Sequence, residues 1–469
     1  MWNFDAFSNN VAIITDGGEI LTYAQLKEET TRLAVTIGKR CLVFSMCSNT
    51  AGSVIGYASF LNNRIIPVLL NAHMDSELLE SLIDNYQPAY IWMPLEMCLE
   101  HARFYSIYEA YGYVLMKNIS AKDYPLFDEL ALLLTTSGST GSQKFVRQSY
   151  TNIRVNTEQI VEYLELDENE RPVTTLPMNY TYGCSIINTH LYVGATILLT
   201  DKALMTREFW AFMKEQKATS IAGVPYTYEM LDKLRFFRMD LPYLRTMTQA
   251  GGKLSPELQK KYSEYAFDKG KKLVVMYGAC EATARMGYLP HEKSIEKYGS
   301  CGIAIPGGKF TLIDINNNEI SEPDVTGELV YEGENVTLGY AECPEDLAKG
   351  DERHGRLETG DMARRDEDGF YYIVGRKKRF LKVYGNRVNL DEIDRLIKTE
   401  FDYMDCASGG VDDHVYIFIT DETKADEVRQ FVSGKTGLNQ SAFNVVYLDI
   451  IPKNDSGKTL YKELDKYYG

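Results

Sequence analysis

Three leucines, Leu132 to Leu134, run into Thr135-Thr136-Ser137-Gly138-Ser139-Thr140-Gly141-Ser142-Gln143-Lys144. The apolar run reads as the end of a buried strand; the chain then breaks into hydroxyls and glycines and closes on a lysine. Glycine accepts φ > 0 and lets backbone N–H groups come close to a ligand, and successive N–H groups form an anion-binding concavity. Hydroxyl donors and a positive point charge complete a composition suited to a polyphosphate. The pattern is not the Walker loop, which has glycine before the lysine and a hydroxyl after it; here Gln143 precedes Lys144 and Phe145 follows. Taken alone, the stretch supports two readings equally, a phosphate cradle and a flexible Ser/Gly loop.

Other stretches carry chemistry of the same kind. Tyr277-Gly278-Ala279-Cys280-Glu281 follows the apolar run 273–276, which places a carboxylate beyond a strand end. Gly251-Gly252 ends another apolar run. Thr359-Gly360-Asp361, Gly375-Arg376 and Ser456-Gly457-Lys458 come later. Each has an ordinary alternative: a solvated glutamate, a core tyrosine, a turn, an exposed loop lysine.

The elements that must position these groups alternate regularly. Thr22 with Gln25 opens a helix to about Ile37. Strands are expected at 41–46, 64–70 and 89–93, with helices at 51–62 and 75–86 between them. Continuous apolar strands separated by helices signal a parallel sheet covered on both faces, and the Ser/Gly loop then leaves the C-terminal end of a strand, where ligands bind in such sheets. Helices are expected at 152–164, 185–192, 209–215 and 226–234, and strands at 173–176, 195–199, 220–224, 244–250 and 273–276. Ser255 caps a further helix with Pro256 at its first position. Beyond residue 300 short alternating strands (309–314, 327–331, 369–374) suggest a small β subdomain. After the basic run Arg376–Arg379 an α+β pattern begins. The fold class expected is α/β: a large, multi-subdomain N-terminal domain over 1–376, with mostly parallel sheets and the β subdomain, and a small mobile α+β C-terminal domain over 377–469.

Composition narrows the function. The 45% hydrophobic and 25% charged fractions are those of a water-soluble globular protein with a large core. A formal net charge of −16 argues against general nucleic-acid or anionic-membrane binding. The eight cysteines form no CxxC pair, and with the six histidines no metal-ligand spacing, which fits a reducing compartment. The start of the chain has no signal-peptide pattern, and no run approaches the ~20 apolar residues of a membrane span. A cytoplasmic protein without nucleic-acid or membrane partners is the expectation.

In order along nearly the whole chain, these stretches resemble the adenylate-forming (AMP-binding) superfamily: acyl- and aryl-CoA synthetases, luciferase and the adenylation domains of peptide synthetases. Gly327-Glu328-Leu329 with Leu338-Gly339-Tyr340 matches a further box of that family. The resemblance implies ATP-dependent activation of a small carboxylic acid to an acyl-adenylate, with release of pyrophosphate. Transfer then follows to a thiol, either coenzyme A or the phosphopantetheine of an acyl carrier protein. It implies that Thr136, Ser137, Gly138, Ser139, Thr140, Gly141 and Lys144 hold the β- and γ-phosphates, and that Glu281 is a Mg2+ ligand. Tyr277 and Gly278 with Gly251 and Gly252 would take adenine; Asp361, backed by Arg376, would take the ribose hydroxyls. Lys458, with Thr140 and Glu281, would be catalytic, bridging the α-phosphate and the attacking carboxylate. Tyr180, Tyr182, Cys184, Tyr226 and Gln249 fall where the acyl pocket forms, and Lys378 matches the hinge about which the small domain swings Lys382 and the Gly385 loop inward. The chain departs from the family at Cys280, where a threonine is usual, at Gln143 and Phe145 around the loop lysine, and at Tyr180, where many acyl- and aryl-CoA ligases have histidine. None of residues 177–183 is acidic, unlike the aspartate of amino-acid-activating domains. Competing readings are a stand-alone amino-acid adenylation enzyme loading a carrier protein, and a nucleotide-binding homologue without chemistry.

Overall fold

The alternation of apolar runs and helices in the first hundred residues builds the parallel sheet expected of it. The structure is a computed structural model that describes residues 1–98, 103–135, 144–384, 386–401, 403–453 and 459–468, with only the backbone of Arg387. Ile66–Asn71, Leu42–Cys47 and Tyr90–Pro94 lie parallel, and Leu130–Thr135 joins them beside Ile66–Asn71. The strand feeding the Ser/Gly loop is therefore internal to a sheet. Phe145–Ser149 and then Gly339–Ala341 extend it antiparallel on one side. The hairpin Phe104–Ala110/Tyr113–Asn118 extends it on the other. Leu42–Cys47 is buried at every residue, which its apolar sequence permits, because Ala51–Asn62 covers it and is itself buried through Leu61. Small residues allow that contact: a Cβ on Gly56 would overlap the Trp92 indole.

A second sheet in the same unit is also mostly parallel. Val11–Thr15, Ile197–Leu199, Pro172–Val173, Ser220–Gly223, Thr246–Gln249 and Lys272–Tyr277 run parallel, and Gly287–Leu289 turns back antiparallel against the last of them. The helices between these strands start where local chemistry dictates. Thr22 and Gln25 form a reciprocal capping box at the head of Tyr23–Ile37, and Ser255 caps Pro256–Asp268 with proline in its first turn. Helix Thr181–Val193 begins four residues earlier than its apolar pattern suggests, and 173–176 contributes only the two-residue strand Pro172–Val173. No helix among the described residues is long and apolar enough to cross a membrane.

The chain divides into two compact units, Met1–Lys309 with Glu332–Leu357, and Phe310–Tyr331 with Glu358–Gly469. In the second, Lys309–Ile313, Gly327–Glu332, Arg356–Arg365 and Tyr371–Arg376 form one sheet. A three-stranded sheet follows (Cys406–Val411, His414–Ile419, Phe443–Tyr447), with helices Leu390–Glu400 and Ala425–Thr436 contributing to its core. Three bonds span the boundary expected at 376/377. Asn389 donates to the Val374 carbonyl at 2.7 Å, the Arg376 N–H donates to Asp391 at 3.0 Å, and Lys377 pairs with Glu328 at 2.5 Å. The β subdomain is thus grouped with the C-terminal segment.

One buried group in the first unit makes stability depend on pH. His190, on helix Thr181–Val193, donates Nδ1–H to the Ile186 carbonyl at 2.8 Å, and its Nε2 is buried without a partner. Burial, with a smaller contribution from the Arg285 charge, lowers its pKa from 6.5 to about 4. Between those values the unfolded chain binds a proton that the folded chain refuses, so stability is full above about pH 6.5 and falls toward pH 4. That contribution is on the order of 3 kcal/mol. His190→Gln should therefore lose less thermal stability than wild type as pH drops from about 7 to about 4.5. Parallel melting curves over that range would contradict the assignment.

Candidate active site

The site is built where strand Lys272–Tyr277 ends. Tyr277 and Gly278 lead into the single turn Cys280–Ala282, which leaves Glu281 half-buried while Cys280 is buried. The next residue, Thr283, has φ +68, an outlier for a β-branched side chain. Its neighbours fix it: the hydroxyl donates to the Asn335 carbonyl at 2.7 Å, and its own carbonyl accepts from Thr181 Oγ1 and from Gln148 Nε2 at 3.4 Å. Strain held this firmly characterises functional turns.

Glu281 is gripped at both ends. Its carbonyl accepts from the Thr337 N–H and Oγ1, each at 3.0 Å, and from Arg353 at 3.3 Å. Its carboxylate accepts from Tyr340 Oη at 2.7 Å. Burial, then the nearby Glu281 charge, pushes the Tyr340 hydroxyl up to about 12, so it stays a donor. The Tyr340 ring is flanked by cations, with Lys144 Nζ 3.8 Å and Arg353 Cζ 4.6 Å from its centre. Lys144 also approaches Glu342 at 3.4 Å. Two residues expected at the phosphate site, Lys144 and Glu281, therefore meet through Tyr340. Among the described residues no three His, Cys, Asp or Glu side chains converge on one point. A lone carboxylate suits Mg2+, which takes most of its ligands from water and substrate phosphates.

Arg147 holds this arrangement from beneath. Its side chain is fully buried on strand Phe145–Ser149. It donates to the carbonyls of Tyr340 at 2.9 Å, Leu338 at 3.1 Å and Gly350 at 3.2 Å, to that of Lys349, and pairs with Glu352. Arg147, Arg353 and the role of Tyr340 are not apparent in the sequence; Leu338-Gly339-Tyr340 is visible there only as a family box.

The residues expected at the acyl pocket separate into groups. Tyr180 and Tyr182 face edge to face at 6.4 Å between centroids. The Tyr182 hydroxyl donates to Thr248 Oγ1 at 2.8 Å. Gly251 has φ +83, and a Cβ there would sit 2.5 Å from the Tyr180 hydroxyl, so only glycine leaves that space open. Gln249 holds the turn by donating to the carbonyls of Gly252 at 2.9 Å and Ala250 at 3.2 Å; its Oε1 is buried without a partner. Cys184 points the other way, donating to Tyr57 Oη at 3.1 Å inside the core between the two sheets. Tyr226 is exposed. In the second unit Asp361 and Arg376 are cross-strand neighbours paired at 2.8 Å, with the carboxylate buried and the guanidinium largely exposed, and Lys378 is exposed in the turn Lys377–Arg379. Thr136, Ser137, Gly138, Ser139, Thr140, Gly141 and Lys458 lie outside the described residues, as does Gly385.

The first unit is thus an α/β fold of two sheets rich in parallel pairs, with a firmly held glutamate just beyond a strand end. The family model described as "AMP-binding enzyme" matches residues 2–341, and the chain belongs to that family. It is 27% identical over 356 residues to 4-coumarate--CoA ligase-like 8 of Arabidopsis thaliana, covering 72% of this chain and 63% of that protein. It is 28% identical over 354 residues to Peroxisomal OPC-8:0-CoA ligase 1 of the same plant, covering 72% and 64%. The match thus spans under two thirds of the length of these relatives. Among solved structures, o-succinylbenzoate CoA synthetase (MenE) of Bacillus subtilis with the acyl-adenylate OSB-AMP superposes with a TM-score of 0.78 at 20% identity. That superposition covers 97% of this chain and 95% of that one.

Tyr340→Phe keeps the ring between its two cations but frees the Glu281 carboxylate. Loss of a group that orients a metal ligand typically costs 10–100-fold in metal affinity. On the expectation that Glu281 holds Mg2+, the Mg2+ concentration at half-saturation of ATP binding should rise by roughly that factor, read by titration calorimetry. An unchanged midpoint would separate Tyr340 from the metal.

Proposed function

We propose that the chain is an acid–thiol ligase: it joins a carboxylic acid to ATP as an acyl-adenylate, releasing pyrophosphate, and passes the acyl group to a thiol. The observation that carries this reading is the Lys144–Tyr340–Glu281 cluster, whose lysine closes the Ser/Gly stretch in the sequence. A bound Mg2+ would offset phosphate charge beside Glu281. Lys144 and the loop hydroxyls would hold the β- and γ-phosphates so that pyrophosphate leaves opposite the incoming carboxylate. Gly251 and Gly252 would let adenine lie against backbone beside Tyr277, and the Asp361 carboxylate, oriented by Arg376, would accept from the ribose hydroxyls. Lys458 would meet negative charge that develops as the acid attacks phosphorus, and removing one such donor costs ~2.7–4 kcal/mol of barrier.

The relatives named as CoA ligases support coenzyme A as the acceptor over a carrier protein. An amino-acid substrate fits less well, because the side chain packed on Tyr182 is a cation, Arg285, rather than the carboxylate a free amine needs. The presence of Glu281 together with Lys458 speaks against a homologue without chemistry.

The direct test is carboxylate-dependent pyrophosphate exchange over aliphatic, aryl and amino acids. Exchange with none of them sinks the reading. Lys458→Ala should lose exchange by about 10²–10³-fold while retaining ATP binding; full exchange in that variant would remove Lys458 from the chemistry.

The two half-reactions should separate at the hinge. Lys378 is exposed in the turn Lys377–Arg379, and proline there fixes φ near −65°. A hinge absorbs a φ/ψ change during domain movement. Lys378→Pro should keep pyrophosphate exchange and lose thioester formation, at an unchanged melting temperature. Wild-type rates in both half-reactions would place the hinge elsewhere.

A further inference from the structure

One buried cation has no part in the reaction as described. Arg285 lies four residues beyond Glu281, and only 3% of it is exposed. Its guanidinium touches neutral groups alone: Tyr163 Oη at 3.2 Å, Ser185 Oγ at 3.0 Å, Met276 Sδ, and the face of Tyr182, 4.4 Å from the ring centre. Its Nε is buried with no hydrogen-bond partner, and no carboxylate among the described residues pairs with it. The other deeply placed guanidiniums differ. Arg147 has Glu352 and a set of carbonyls, and Arg379 has Asp391 and Asp394. A guanidinium stays charged at any accessible pH, and a buried charge is tolerated when it is paired. Arg285 has no such partner among the described residues.

Its position says what would supply the missing charge. Tyr182, on which it packs, stands edge-on to Tyr180, and the Tyr180 hydroxyl fills the space above Gly251. Arg285 is therefore at the far end of the row Gly251–Tyr180–Tyr182, inside the region assigned above to the acid. His190, on the helix that presents Tyr182 and Ser185, is held neutral, so it adds no competing charge. Met276 is unbranched and polarizable, the kind of neighbour that shifts to admit a ligand.

We propose that Arg285 binds a second carboxylate on the substrate, so that the acid activated here is a dicarboxylic acid. This rests on the adenylation reading. One carboxylate attacks phosphorus while the other forms a two-pronged pair with Arg285 and accepts from the Tyr163 hydroxyl, which here donates to the Met276 sulfur at 3.1 Å. A monocarboxylic acid of the same length leaves the guanidinium buried and unpaired. Sites built to hydrogen-bond a substrate group reject the analogue lacking it by up to 10⁴–10⁵.

The test compares matched mono- and dicarboxylic acids, aliphatic of four to eight carbons and aromatic, in pyrophosphate exchange by the full chain. Wild type should prefer one diacid over its matched monoacid by at least roughly a hundredfold in kcat/KM. Arg285→Met should collapse that ratio to about one through KM, leaving monoacid turnover in place, and Arg285→Lys should keep part of it. A second readout needs no turnover: the preferred diacid alone should raise the melting temperature of wild type and not of Arg285→Met. Preference of wild type for monoacids overturns the proposal even if Arg285→Met fails to fold. An equal loss of both acid classes in Arg285→Met overturns it too, since a purely structural role would act that way. Exchange with monoacids alone defeats this proposal and leaves the adenylation reading standing; exchange with no acid defeats both.

Discussion

A guanidinium removed from water must be given acceptors, and Arg147 takes its acceptors from the segment 338–352. It stands on a strand next to the one that feeds the Ser/Gly loop, and it draws carbonyls from Leu338, Tyr340, Lys349 and Gly350, together with the Glu352 carboxylate. These partners secure Gly339–Ala341 at the sheet edge, and that strand carries Tyr340. Tyr340 in turn fixes the Glu281 carboxylate and offers its ring to Lys144. Breaking one partner away from a fully buried charge is far more destabilising than never having made the pair. The geometry of the proposed phosphate site is thus tied to a core interaction that touches no substrate.

The turn that carries Glu281 is the other half of this arrangement. Thr283 holds a left-handed conformation that its side chain disfavours, and the compensation comes from Thr181, Gln148 and Asn335, each in a different part of the first unit. Thr181 opens the helix bearing Tyr182, so the turn at the proposed metal site and the helix at the proposed acyl region share a bond. A displacement of one is felt by the other. That linkage is a physical reason for acid and nucleotide sites to be set by one framework rather than two.

Much of this was legible in the sequence where the determinants are local. Thr22 with Gln25 and Ser255 with Pro256 mark helix starts because a cap is made within four residues. The continuous apolar run 42–47 reads as a buried parallel strand because both of its faces must be apolar. The Ser/Gly stretch, Glu281 and Asp361 with Arg376 stand in the family's order, and the last two form a cross-strand pair in the structure. What sequence did not reveal depends on distant partners. Phe145–Ser149, to which the sequence pattern assigns no element, contains Arg147 and Gln148 yet is buried throughout, because the acceptors for Arg147 arrive 191 to 205 residues later. Cys184 and Tyr182 sit on a helix buried on all sides through Leu191, where no hydrophobic stripe tells which face meets the pocket and which the core. The grouping of the β subdomain with the C-terminal segment depends on Asn389 and Asp391 reaching back past residue 377, which a change in strand pattern cannot disclose.

Charge gives the last constraint. A chain of formal net charge −16 presents an unfavourable field to ATP and to any carboxylate. Screening confines that field to about 8 Å at physiological salt, so capture of anionic substrates has to come from cations placed at contact distance. In the first unit Lys144 and Arg353 flank Tyr340, and both carry acidic or aromatic neighbours that keep them oriented while leaving them near the Glu281 carboxylate. Arg285 is different in kind, buried on an aromatic face and supported, among the described residues, by neutral groups. A fold that already pairs Arg147 and Arg379 with carboxylates of its own has the means to neutralise a buried guanidinium. Leaving Arg285 without one among the described residues, in the region proposed for the acid, would place the neutralising charge on the substrate and make the electrostatics of that region complete only when it is filled.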